Sequence, residues 1–185
     1  MSDVAPDDHI SRYIRRIQLG LRFLGHGARA HTTCRWTGLS HNQLVTVRRR
    51  SRFNANNRLR GPSPSAYSVF FRSHRCSSQA ALFISICRFF GLVRPSISIE
   101  NGERLCEAYE IYREWEPDSD LEFEQAVLLL DGVSLGVSIG FQSCSGCVGF
   151  MLIDNLGDKH TICHHCRRVQ RQAKKLPKGS HAHAC

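Results

Sequence analysis

Apolar residues recur at Ile10, Tyr13, Ile14, Ile17, Leu21 and Leu24, the three-and-four spacing of an amphipathic helix, with Arg12, Arg15, Arg16 and Arg22 on its other faces. This predicts a first helix to about His26, closed by Gly25 and Gly27, since glycine tolerates the left-handed cap. Ala28 to Arg52 reads as two short helices joined at Thr37-Gly38-Leu39, with Ser40 as the N-cap of the second. Arg58 to Pro64, RLRGPSP, cannot continue a helix and marks a linker or ordered loop. Gln79 to Val93 is apolar on nearly every face, which suits a helix buried by several neighbours, although its Ile and Phe also permit a strand. From Glu103 to Glu116, Leu105, Ala108, Tyr109, Tyr112 and Trp115 line one face, Glu103, Glu107, Glu110 and Glu114 occupy others, and Pro117 follows the end. Leu121 to Ile139 supplies a further apolar helix whose second half is weakened by Gly132 and Gly136, at about 1 kcal/mol each relative to alanine. Val148 to Asp154 and His160 to Ile162 read as short strands joined by the turn-forming Asn155-Leu156-Gly157-Asp158, and the stretch from Arg167 onward as a basic, loose tail.

A chain of 185 residues holds one ordinary domain and at most a small appended module. Its longest apolar run, Ala126 to Ile139, is too short and, with Asp131 inside it, too charged to cross a bilayer, so no membrane span is expected. The opening residues MSDVAPDDHI lack both the basic start and the apolar run of an export signal, which predicts a cytoplasmic protein. The net charge is +9, and its distribution says more than its sum. Met1 to Arg60 carries 12 basic against 3 acidic residues, Asn101 to Asp131 carries 2 against 10, and Gly132 to Cys185 carries 7 against 2. Two basic ends thus flank an acidic middle, and the ends are where an anionic partner such as nucleic acid would sit. The carboxylates at Glu107, Glu110 and Glu114 read as a solvated helix face rather than a catalytic pair.

Nine cysteines in a reducing compartment point to metal rather than disulfides. Cys144-Ser145-Gly146-Cys147 and Cys163-His164-His165-Cys166 form two Cys-x2-Cys pairs separated by 15 residues, a spacing that lets two tight turns present four thiolates to one ion. Four cysteines leave no open coordination position, which predicts one structural Zn2+ rather than a catalytic one. A redox dithiol is the competing reading, and His164 or His165 could replace a cysteine. Gly146 suits a positive backbone angle in the first turn. Cys34, Cys76, Cys87 and Cys106 read as small hydrophobes, and His181, His183 and Cys185 as part of a flexible tail.

The segment after the first helix meets the demands of a helix-turn-helix: small Cys34 at the crossing, Gly38 at the turn, and Leu39, Leu44 and Val47 as apolar anchors. Its second helix would present Ser40, His41, Asn42, Gln43, Val45 and Thr46 to a major groove, Asn42 and Gln43 suiting adenine, while Arg48, Arg49, Arg50 and Arg52 would neutralise phosphates. A solvated helix pair with a basic edge accounts for the same residues. The fold expected is mainly α: a helical body with an N-terminal helix-turn-helix-like segment and a small C-terminal four-cysteine zinc-ribbon-like module. The expected division is 10–60 for the DNA-binding segment, 61–140 for the body and partner surface, 141–170 for the zinc module and 171–185 for a basic flexible tail.

The order of RIQLGLRFLGHGAR, TGLSHNQLVTV, the GPSPS loop, QAALFISICRFFG, EAYEIY, CSGC and CHHC resembles the FlhC family, the zinc-containing subunits of the bacterial flagellar master activator, over about Arg16 to Cys166. The resemblance implies a cytoplasmic subunit that assembles with an FlhD-type protein into a hetero-oligomer, binds duplex promoter DNA and helps recruit RNA polymerase, with zinc on Cys144, Cys147, Cys163 and Cys166. The chain departs from the family at Gln125-Ala126-Val127 and Asp131, where the family usually carries Arg-Ala-Trp and a later arginine, which implies a divergent paralogue. The function expected is a DNA-binding transcriptional activator subunit at flagellar or related promoters. A zinc-ribbon interaction or RNA-binding module is the alternative. An enzyme is not expected, since neither a GxxxxGK loop nor a GxSxG elbow occurs.

Overall fold

The computed structural model describes residues 9–51, 64–92, 94, 96–157 and 160–175. The chain forms α1 (His9–Gly25), α2 (Ala30–Thr37), α3 (His41–Arg50), a short 3-10 turn (Tyr67–Phe71), α4 (His74–Phe89), α5 (Ile99–Trp115), α6 (Phe123–Leu135), β1 (Ile139–Ser143), β2 (Phe150–Asp154) and α7 (His164–Lys175). It is mainly helical with one small antiparallel sheet, and its four-cysteine unit near the C-terminus fits a zinc-ribbon-like module. Arg52 and most of the RLRGPSP segment lie outside the described residues, as do Lys178, His181, His183 and Cys185.

The nearly all-apolar helix is central. α4 packs against α5, α6, β2 and the 3-10 turn, burying Ala80, Phe83, Ile84 and Cys87. Aromatic edges tie the layers together: Phe23 of α1 meets Phe123 of α6 with ring centres 5.0 Å apart, and Phe83 meets Tyr112 at 5.6 Å. Such pairs contribute roughly 0.5–1.5 kcal/mol each beyond the area they bury. In α5 the expected face is buried at Leu105, Ala108, Tyr109 and Tyr112, but Trp115 is 64% exposed because it is the last residue of its helix. In α1 the buried face differs from the expected stripe. Leu19, Phe23 and Leu24 enter the core, whereas Ile10, Tyr13 and Ile14 face solvent.

The acidic middle docks the basic beginning. On α1 and α5, Arg15 meets Glu103 at 2.7 Å and Arg22 meets Glu110 at 2.8 Å, both pairs 88 residues apart, so the two helices run parallel with links two turns apart. On α2 and α6, Arg35 forms a two-point pair with Asp131, at 2.6 and 3.1 Å. One turn or more earlier, Glu124 accepts the Arg29 N–H at 2.6 Å and the Thr32 hydroxyl at 2.9 Å. Of the three carboxylates expected to be a solvated face, Glu110, with Glu107 3.9 Å from the same arginine, therefore helps orient α1 against the body, while Glu114 is exposed as expected. Arg22, joined by His26, holds the Glu110 carboxyl below its ordinary value of 4.5. A carboxylate depressed in the folded state adds stability above that ordinary value, and the contribution is lost as pH falls through the depressed one. The urea midpoint should accordingly drop between pH 6 and pH 3, and less steeply in Arg22→Ala; equal slopes in both proteins would refute the linkage.

Candidate metal centre and helix-turn-helix

The single apolar helix expected over 121–139 stops at Leu135, where Gly136 turns left-handed (φ 67°) and releases the chain into β1. β1 pairs with β2 from Ile139↔Asp154 to Ser143↔Phe150. The hairpin thus lies before and through the expected strand at 148–154, and His160 to Ile162 is not a strand. Those residues run beside the hairpin tip instead, where Thr161 O accepts the Ser145 N–H at 2.9 Å and His160 O accepts from Gln142 at 2.8 Å. The first cysteine pair consequently occupies the hairpin turn, and the second straddles the start of α7. The tail expected from Arg167 onward to be loose is helical as far as Lys175.

These elements bring the Sγ atoms of Cys144, Cys147, Cys163 and Cys166 within 4.8 Å of one another, and no other such group of metal-ligating side chains occurs among the described residues. Cys147 and Cys163 stand 3.8 Å apart. A tetrahedron of thiolates with metal bonds of about 2.3 Å has edges of about 3.8 Å, which the Cys147–Cys163 edge matches, and the four thiols are close enough together to hold one ion. Backbone N–H groups of Cys163 (3.1 Å) and Gly146 (3.3 Å) donate to Cys144 Sγ, and that of Cys166 to Cys163 Sγ at 3.5 Å. The Cys163 amide above all brings the Cys144 thiol down to about 6. Hydrogen bonding with Cys147 and Cys163 pushes Cys166 up to about 12. Four thiols packed this closely resist ionising together without a cation among them, and a cation is what the set can hold. Cys87 and Cys106 sit in the core as the small hydrophobes expected, burial above all pushing Cys106 up to about 12, with Glu110, Glu107 and Glu103 adding and Arg22 opposing.

Neither histidine joins the cage. His164 stacks on His74 of α4 with ring centres 3.2 Å apart, and His165 is exposed. A second clamp holds the hairpin to the body, with the Arg88 guanidinium 4.8 Å from the ring centre of Phe150 and 5.5 Å from that of Phe141. Gly146 does not supply the positive angle expected of it. It is needed because a Cβ there would stand 3.1 Å from Cys166 Sγ. The positive angle falls on Val148 instead (φ 52°), an exposed β-branched residue for which this conformation costs about 1–2 kcal/mol. Val148→Gly is therefore expected to stabilise the module by about 1 kcal/mol, seen as slower metal loss to a competing chelator; faster loss would contradict the reading.

At the other end, α2 and α3 meet through Gly38, left-handed at φ 68°, whose N–H returns to Cys34 O at 2.9 Å. Leu39 and Leu44 are buried with Leu24, with Ile17 and Cys34 packed beside them, and Val47 is also buried. Ser40 and Gln43 form a reciprocal capping box: the Ser40 hydroxyl accepts the Gln43 N–H at 3.3 Å and Gln43 Oε1 accepts the Ser40 N–H at 2.8 Å. His41, Asn42, Thr46, Arg49 and Arg50 are exposed, and Arg48 is half-buried. Thr46 donates its hydroxyl to Asn42 O at 3.0 Å. A groove of about 380 Å³ runs between α1 and α3, lined by Tyr13, Ile17, Asn42, Gln43, Thr46 and Arg50 among others. Two supporting contacts carried no sequence signal, Glu124 at the start of α2 and the Arg88 clamp, because their partners lie far away in the chain.

No helix among the described residues is long and apolar enough to cross a membrane. No protein-family model matches the chain, and no curated protein matches it.

Proposed function

We propose that the protein is a DNA-binding subunit of a transcriptional activator, FlhC-like, with one structural zinc ion and an FlhD-type partner in a cytoplasmic hetero-oligomer that helps recruit RNA polymerase. The observation that carries this reading is the pinned turn at Gly38. It fixes α3 by its buried Leu39, Leu44 and Val47 and leaves Asn42 and Thr46 open on the outer face with arginines following. Asn offers the two-point match to adenine, and arginines supply sequence-independent affinity for phosphates. Zinc is the ion favoured by four soft thiolates in a closed tetrahedron, and its role there is to hold the fold. The exposed Ile10, Tyr13 and Ile14 on α1 favour a partner chain, since contiguous apolar surface on a soluble protein commonly marks an interface.

Duplex selection from a random pool, with the metal-loaded chain alone and with an FlhD-type partner, tests the reading. A selected site should lose about 10- to 100-fold in affinity on Asn42→Ala, roughly 1–3 kcal/mol for one base contact, while nonspecific duplex binding changes little. Preference for single-stranded RNA over duplex would favour the alternative module. Absence of duplex binding under both conditions would end the proposal.

A further inference from the structure

α7 is an unusual helix to find folded. Its 12 residues, HHCRRVQRQAKK, include five arginines and lysines and no acidic side chain. Same-sign neighbours stand three and four positions apart, at Arg167–Arg171 and Arg168–Arg171, a spacing that destabilises a helix. A helix of this length is marginal in water, and the half-exposed Val169 offers little apolar surface to bury. Its hold on the molecule comes through its first turn, where Cys166 belongs to the thiol cage and the Arg167 N–H returns to Cys163 O at 3.0 Å. The arginines of α1 and α2 at Arg15, Arg22 and Arg35 meet carboxylates of the body. Among the described residues Arg167, Arg168 and Arg171 meet none, and Arg168 and Arg171 are exposed.

We propose that α7 is a second nucleic-acid contact: a basic helix, tethered by the cysteine cage, that lies on the phosphate backbone of duplex DNA outside the bases met by α3. The inference rests on the DNA-binding reading above and extends it to a second element. Charge complementarity chooses the partner. A helix of about 18 Å faces a duplex that carries one negative charge per roughly 1.7 Å of axis. α7 has no Phe, Tyr or Trp, and its His164 is already stacked on His74, so apart from His165 it lacks the ring platform of single-strand binding surfaces. Its contacts should therefore add affinity and salt dependence without adding sequence preference.

The test uses the full metal-loaded chain with a selected duplex and an unrelated one, following affinity by fluorescence anisotropy from 50 to 300 mM salt. Arg168→Gln with Arg171→Gln should lower the slope of log affinity against log salt by about 2, since each lost phosphate contact removes about 0.9. Affinity for both duplexes should fall by a similar factor, their order unchanged, and Arg168→Lys with Arg171→Lys should restore the slope. A cobalt-substituted sample with the wild-type thiolate absorption shows that the cage is intact. Gln172→Glu, which leaves both arginines in place, should lower affinity in the same sequence-independent way. An unchanged slope in these variants overturns the inference and leaves the α3 reading standing. So does a loss confined to the selected duplex, or an equal loss for single-stranded RNA bound more tightly than duplex. A wild-type chain that binds no duplex at all overturns both.

Discussion

Cys144→Ser is expected to empty the metal centre, taking the metal content from one ion per chain to none. Cys144 is the buried member of the cage, and it alone accepts two backbone N–H groups, from Gly146 and from Cys163 across the 19 residues that separate the two turns. Its loss breaks the tetrahedron and, at the same time, removes the acceptor of the Cys163 N–H that ties the second turn to the hairpin tip. Structural thiolate sites hold zinc with apparent free energies of about 10–16 kcal/mol, so losing one ligand should weaken binding by orders of magnitude. The effect should stay local. Ile139 and Leu152 remain in the main core, so the helical body should melt near its wild-type temperature while the α7 signal disappears from the far-ultraviolet dichroism. A variant that keeps one equivalent of metal and full helicity would refute the ligand assignment, and a wild-type chain purified folded and metal-free would refute the site.

The second large effect is expected at Glu124, which is 4% exposed. Arg29, the N-cap of α2, makes no side-chain cap, and the Glu124 carboxylate, 95 residues away, supplies one by accepting the Arg29 N–H and the Thr32 hydroxyl. Hydrogen bonds to a charged group contribute about 1.5–3 kcal/mol each, and an anion at a helix N-terminus adds up to about 1 kcal/mol. Glu124→Ala should therefore cost about 3 kcal/mol in urea denaturation, since it removes the acceptor of a half-buried N–H and of a buried hydroxyl. Glu124→Gln should cost less, because its amide oxygen can still accept one of them. Destabilisation below about 1 kcal/mol for the alanine variant would show that α2 does not depend on this carboxylate. Because the same contact seats the helix-turn-helix on the body, any duplex affinity should fall with the stability of that seat.

Local chemistry explains where reading the residues succeeded. Ser40 and Gly38 punctuate α2 and α3 through contacts within four residues, so their meaning is visible without the rest of the fold, whereas Gln43, expected to face a base, turns its Oε1 back to the Ser40 N–H. The cysteine spacing is legible for the same reason, each pair being one tight turn. The hairpin was misplaced because the apolar run from Leu121 to Ile139 hides the change of direction at Gly136, and because a two-stranded sheet leaves little alternation to detect. Gly146 was assigned the wrong duty: whether a glycine serves an angle or a close approach depends on what lies opposite, here Cys166. α7 reads as a loose tail because its composition gives it no reason to be helical; its anchors, the cage and the His164 stack on His74, exist only in the folded chain.

The sequence by itself determined most of the helices, the punctuation at Gly38 and Ser40, the two thiol pairs and the division of charge into basic, acidic and basic segments, since each is written in residue types a few positions apart. Tertiary structure alone decided what those charges do. It set Arg15, Arg22 and Arg35 of α1 and α2 against the carboxylates of α5 and α6, left Arg167, Arg168 and Arg171 without such partners among the described residues, and chose the core face of α1. Those outcomes depend on pairs 88 to 96 residues apart, and Coulomb attraction and packing act on distance in space, which only the folded chain defines.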